Sequence, residues 1–167
     1  MARRYTLGFS LCGLLAFAVQ EVPYLSWFLW PPADNPLAGS VPINMFFGTL
    51  EKVGGVLTIA LLILVVRKPA DAQRREKNSR FVAALGWRKN KSRFFPGAVL
   101  CLAIYYVSWG CYFAGVTNAW LIVIGLSAVV PVYYFFVALW MRNAFAAATA
   151  VLFFVGHTGA NGINFLL

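Results

Sequence analysis

The sequence predicts an all-α integral membrane protein: a compact bundle of five transmembrane helices, with the N-terminus cytoplasmic and the C-terminus outside. Three observations carry this expectation. The chain is 61% hydrophobic and only 11% charged, whereas soluble domains run near about 25% charged. Its apolar residues fall in five long stretches, each close to the roughly 20 residues that a helix needs to cross the hydrocarbon core. Ten of the fourteen Lys and Arg lie within 67–93, between two of those stretches. Orientation in a bilayer explains that cluster, and so most of the +9 net charge, without invoking nucleic acid. One domain, 1–167, accommodates the whole pattern.

The first helix is expected over 5–27, after Arg3 and Arg4 and with Glu21 near its far end. No A-x-A cleavage pattern follows it, so it reads as a retained helix and not as a signal peptide. Tyr24, Trp27 and Trp30 then mark the headgroup level, and Pro31, Pro32 and Pro36 end regular helix. A short structured cap on the outer face is expected there. Ser40 as cap and Pro42 in the first turn start a second helix over 42–66. Within it, Asn44, Gly48, Glu51, Gly55 and Thr58 recur at steps of three and four, making one small and polar stripe.

The basic loop 67–93 is the long polar segment. Its Phe81, Val82, Leu85 and Trp87, flanked by Arg80, Arg88, Lys89 and Lys91, suit either a short helix lying on anionic lipid or a solvated linker. The third helix, 94–114, opens with Pro96 in its first turn and aligns Cys101, Tyr105, Ser108, Tyr112 and Gly115 on one side. A short turn leads to the fourth, 120–141, where Pro131 removes a backbone donor at mid-membrane and predicts a kink. Arg142 and Asn143 make a tight turn into the fifth, 144–165. With this count all basic residues except Lys52 fall inside, and the outer loops carry only Asp34. That is the pattern of a bacterial cytoplasmic (inner) membrane protein.

Candidate functional residues come from depth. Glu51 lies about 12 Å below the outer end of its helix, and His157 about 10 Å below the outer boundary, at 1.5 Å per residue. Glu21 falls slightly nearer the surface. A carboxylate at such depth costs several kcal/mol unless paired or wetted. Glu51, Lys52, His157, Asn161, Glu21 and Asn44 are therefore the expected ligand-binding set, with Asn164 on the same face as His157 and Asn161. Gly48, Gly54, Gly55, Gly156 and Gly159 either open a cavity beside them or let helices close up.

Three classes of function follow. The first is an outward-facing site that binds or moves a small amphiphilic or lipid-like ligand. The second is a membrane enzyme using a His157–Glu51 pair on a lipid-like substrate. The third is an accessory subunit whose polar layer is filled internally. Partners under these readings are membrane lipid, a small amphiphile, and a second copy or another membrane protein. No motif specifies a cofactor. His157, Glu51 and Glu21 lack a local metal-ligand motif, and no metal is expected. Cys12, Cys101 and Cys111 sit in apolar segments without C-x-x-C spacing and read as small apolar fillers.

The stretch G-T-L-E-K-V-G-G, residues 48–55, resembles the glutamate and double-glycine segment of small DoxX-like membrane proteins. The resemblance covers those eight residues. The basic loop and fifth helix lie outside that family's four-helix plan, so it implies no function here.

Overall fold

A computed structural model describes residues 5–38, 40, 43–67 and 93–167. Five helices long and apolar enough to cross a membrane follow one another: α1 Leu11–Leu29, α2 Met45–Leu64, α3 Phe95–Phe113, α4 Leu121–Trp140 and α5 Ala144–Leu166. Two short strands, β1 Tyr5–Leu7 and β2 Val65–Arg67, pair antiparallel in register Tyr5↔Arg67, Thr6↔Val66 and Leu7↔Val65. Most of the basic loop 67–93, read as either a short helix on lipid or a solvated linker and including Phe81, Val82, Leu85 and Trp87, falls outside the described residues. The chain is a five-helix membrane bundle. Among the described residues the ribbon is the one addition to an all-α plan.

The ribbon shortens two expected helices. α1 begins at Leu11 and not near Tyr5, because Ser10 caps it: the Ser10 hydroxyl accepts from Gly13 N at 3.1 Å. The residues before that cap run extended, and Gly8 N and Ser10 N donate to Leu64 O and Ile63 O. They thereby satisfy carbonyls that α2 leaves open at its end. α2 starts later than expected as well. Its cap is Asn44, whose Oδ1 accepts from Phe46 N at 3.0 Å and Phe47 N at 3.3 Å. The Ser40 hydroxyl instead donates to Leu37 O at 3.1 Å, within the preceding loop.

α4 is the central helix: 67% of its apolar window is buried inside the bundle, against 17–33% for the others. Those others turn Phe28, Phe46, Val56, Leu100, Val107 and Val151 outward, as lipid-facing helices do. The core combines small and branched aliphatic residues with buried aromatics, Tyr105, Trp109, Tyr112, Tyr133 and Tyr134. The irregularity expected at Pro131 falls before the proline, where Leu121–Ala128 is wound as a π-helix. There Gly125 takes the Ser108 side chain so closely that a Cβ would lie 2.3 Å from Ser108 Oγ.

α2 and α5 share the broadest interface in the bundle. Gly54 abuts the backbone of Phe153 and Gly156 abuts the backbone of Leu50 and Glu51; a Cβ on Gly156 would sit 2.2 Å from Glu51 N. These glycines close the helices up and do not open space between them. At the ribbon end Asn143, only 3% exposed, joins three elements. Its Oδ1 accepts from Ala146 N at 3.1 Å, capping α5, and its Nδ2 donates to Leu61 O at 2.8 Å and Val65 O at 3.0 Å. Arg142 supports that turn in the left-handed region at φ 57°.

Candidate functional site

The half of the bundle away from the ribbon contains a cavity of about 530 Å³, which the α1–α2 loop also helps to line. Glu51 on α2, Glu21 on α1 and His157 on α5 all belong to its wall. Counted from the helix ends Met45, Leu29 and Leu166, they lie roughly 9, 12 and 14 Å inside, at 1.5 Å per residue.

Glu51 and His157 meet, with Nδ1 and Oε1 2.8 Å apart and both side chains about three-quarters covered. The contact follows from the glycine beside the histidine. Gly156 lays α5 against the α2 backbone at Glu51, so the two side chains leave neighbouring points. One proton lies between them: an imidazole N–H donates to the carboxylate, or a carboxylic acid donates to the imidazole. Asn161 Nδ2 donates to His157 O at 2.9 Å and lies 3.4 Å from His157 Nδ1. Phe153 stacks on the imidazole, centroids 5.1 Å apart.

Sequence reasoning missed another part of the wall. Gln20 is 4% exposed; its Nε2 donates to Tyr105 Oη at 3.0 Å, and its Oε1 accepts from Tyr134 Oη. This amide ties α1 to α3 and α4. The Trp109 indole N–H is buried beside the Tyr105 hydroxyl without completing a hydrogen bond to it. Trp27 packs on Trp109 with centroids 6.3 Å apart, and Trp109 on Tyr105 at 6.2 Å. A glutamine next to Glu21, deep in an apolar helix, was the available signal. The Tyr105 stripe on the third helix was the other.

The loop after α1 joins the lining of the cavity. Asn35 Oδ1 accepts from Trp27 Nε1 and from Tyr112 Oη, both at 2.9 Å, and Leu37 N donates to Tyr112 Oη at 3.2 Å. Thr117 Oγ1 donates to Asp34 Oδ2 at 2.9 Å. Leu37 and Ser40 thereby reach the cavity wall.

The remaining expected residues take other positions. Lys52 is exposed and outside the wall, one residue round the helix from Glu51. Asn44 spends its side-chain oxygen on the α2 cap. Asn164 does line the cavity, and its Oδ1 accepts from Ile43 N at 3.1 Å. Among the described residues no three His, Cys, Asp or Glu side chains stand close enough to hold a metal ion.

The fold and cavity define a polytopic membrane bundle with a chamber in one half, lined by polar, aromatic and aliphatic side chains. Compared with family models, curated proteins and solved structures, the chain matches none.

Proposed function

We propose that this protein binds, or moves across the bilayer, a small amphiphilic molecule housed in this chamber. The chamber then faces outward, with the N-terminus and the basic loop cytoplasmic, in line with the distribution of Lys and Arg. The observation that supports the reading is the make-up of the wall, which combines Glu21, Glu51, His157 and Asn161 with tyrosine and tryptophan rings. A mostly apolar pocket with a few convergent polar groups, in the size range of about 300–1,000 Å³, is the form that small-molecule sites take.

The test is photolabelling in lipid nanodiscs with an octyl amphiphile carrying a diazirine, followed by peptide mapping. Adducts are expected on the chamber walls of α1, α3 and α5, falling when Glu51 becomes Gln or His157 becomes Ala. Adducts confined to the lipid-facing surface, or labelling unchanged in both variants, would overturn the reading.

A second reading draws on the 2.8 Å contact of His157 with Glu51. A carboxylate that holds Nδ1 leaves Nε2 for proton transfer, the arrangement of a general base. Under it, His157→Ala retains binding of a lipid-like substrate but loses its turnover.

A further inference from the structure

The charge and aromatic content of the chamber also specify the ligand's chemistry. Two carboxylates, Glu21 and Glu51, belong to the wall, and the single group there able to carry positive charge is His157. Among the described residues no Lys or Arg contributes to the wall. Lys52 is exposed outside it, while Arg93 and Arg142 lie at the ribbon end, beyond the lengths of α3 and α5. With His157 protonated and both glutamates ionised the wall is net negative by one charge, and with His157 neutral by two. Both carboxylates belong to the same wall, and a cation placed among them gains a favourable charge interaction with each.

The aromatic residues meet the same demand. Trp27, Trp109 and Tyr105 form a continuous chain of ring contacts, with Tyr24 packed on Trp27 at 5.4 Å and Tyr134 near Phe153 at 6.5 Å. Aromatic faces attract a cation through their quadrupole, most strongly where water is excluded. An anion would face two carboxylates and ring faces of the wrong sign.

We propose that the chamber is a site for an organic ammonium: a protonated amine or quaternary nitrogen on an apolar body, seated among the glutamates and the Trp and Tyr rings. This rests on the reading of the chamber as an amphiphile site and narrows it to one charge type. A free organic cation and the ammonium headgroup of a lipid share that chemistry.

The experiment measures binding of three octyl-chain probes to the full chain in nanodiscs of uncharged synthetic lipid, by Trp fluorescence and calorimetry. The probes are octyltrimethylammonium, octyl sulfonate and an uncharged octyl glycol. The ammonium should bind about tenfold or more tighter than the uncharged probe, and the sulfonate weakest. Glu21→Gln and Glu51→Gln keep the side-chain shape, and each should remove most of the ammonium's advantage over the uncharged probe. Equal binding of ammonium and uncharged probes would overturn the cation proposal and leave the amphiphile site standing. Absence of binding by all three would overturn both. Ammonium binding indifferent to both glutamate variants would place the probe elsewhere and overturn the proposal. Competition by lysophosphatidylcholine supports it with a lipid headgroup as the source, and selective ammonium binding without such competition supports it with a free cation.

Discussion

Replacing Gly156 with Ala tests whether the Glu51–His157 pair depends on how closely α2 and α5 approach. The added Cβ would stand 2.2 Å from Glu51 N, 2.5 Å from Leu50 C and 2.8 Å from Glu51 Cα. All three neighbours are backbone, so no side chain can swing aside. Restoring ordinary contact needs the helices to part by about 1 Å, and such overpacking costs typically about 1–3 kcal/mol. The same displacement would carry the 2.8 Å Nδ1–Oε1 contact to nearly 4 Å, beyond hydrogen-bond range. Gly162→Ala is the control, since a Cβ there meets nothing within 4 Å. Thermal unfolding in detergent should show a clear loss for Gly156→Ala and little change for Gly162→Ala. The imidazole NMR signals of His157, the one histidine in the chain, should lose their dependence on Glu51→Gln in the Gly156→Ala background. Equal melting of both alanine variants, or an imidazole still responsive to Glu51→Gln in that background, would refute the reasoning.

Other outcomes follow from the same packing. Asn143→Ala removes one cap and two bonds to the end of α2, so it should destabilise by about 2–4 kcal/mol in denaturant titration, more than a single cap loss of about 1 kcal/mol. Thr58 and Thr158 should respond oppositely to valine. The Thr58 hydroxyl bonds Gly54 O at 2.7 Å and meets Thr149 Oγ1 at 3.1 Å, so Thr58→Val should lower the melting temperature. The buried Thr158 hydroxyl is without a hydrogen-bond partner, so Thr158→Val should be neutral or stabilising by up to about 1 kcal/mol.

The helices were legible because hydrocarbon thickness and hydropathy act locally, residue by residue. Counting along the helices put Glu51 and His157 at a similar level but left open whether they meet, which the 2.8 Å contact answers. What escaped depends on partners distant in sequence. Nothing near Tyr5 announces pairing with Val65–Arg67, and residues 5–10 continue into α1 without a proline or charge to break them, so the Ser10 cap was overlooked. The glycines of α2 and α5 carried two readings, close packing or open space, that only the facing backbone could separate. Asn44 looked like part of a ligand set because its cap role depends on where α2 begins. Gln20 gains its meaning from two tyrosines more than eighty residues away.

These contacts also determine where the chamber can open. α2 and α5 touch backbone to backbone through Gly54 and Gly156, and Asn143 fastens their ribbon ends, so separating them breaks packing along much of their length. α1 also meets the α2 backbone at its ribbon end, where a Cβ on Gly13 would lie 2.3 Å from Leu62 O. Farther along it is held by single hydrogen bonds: Tyr106 Oη to Val19 O at 2.7 Å, Tyr133 Oη to Ala16 O at 2.9 Å, and Gln20 to its two tyrosines. Each such bond is worth about 1 kcal/mol net, so motion of α1 with its capping loop is the less costly route to the chamber. The comparison can be made with two covalent locks in a chain whose three native cysteines are replaced by Ala. A disulfide between Thr58→Cys and Thr149→Cys fixes α2 to α5, where the native hydroxyls stand 3.1 Å apart. A short bis-maleimide between Val19→Cys and Tyr106→Cys fixes α1 to α3. Entry of octyltrimethylammonium, followed by Trp fluorescence in stopped flow, should keep its rate under the first lock and slow about tenfold or more under the second. Slowing by the first lock alone would reverse the assignment and make the α2–α5 seam the gate.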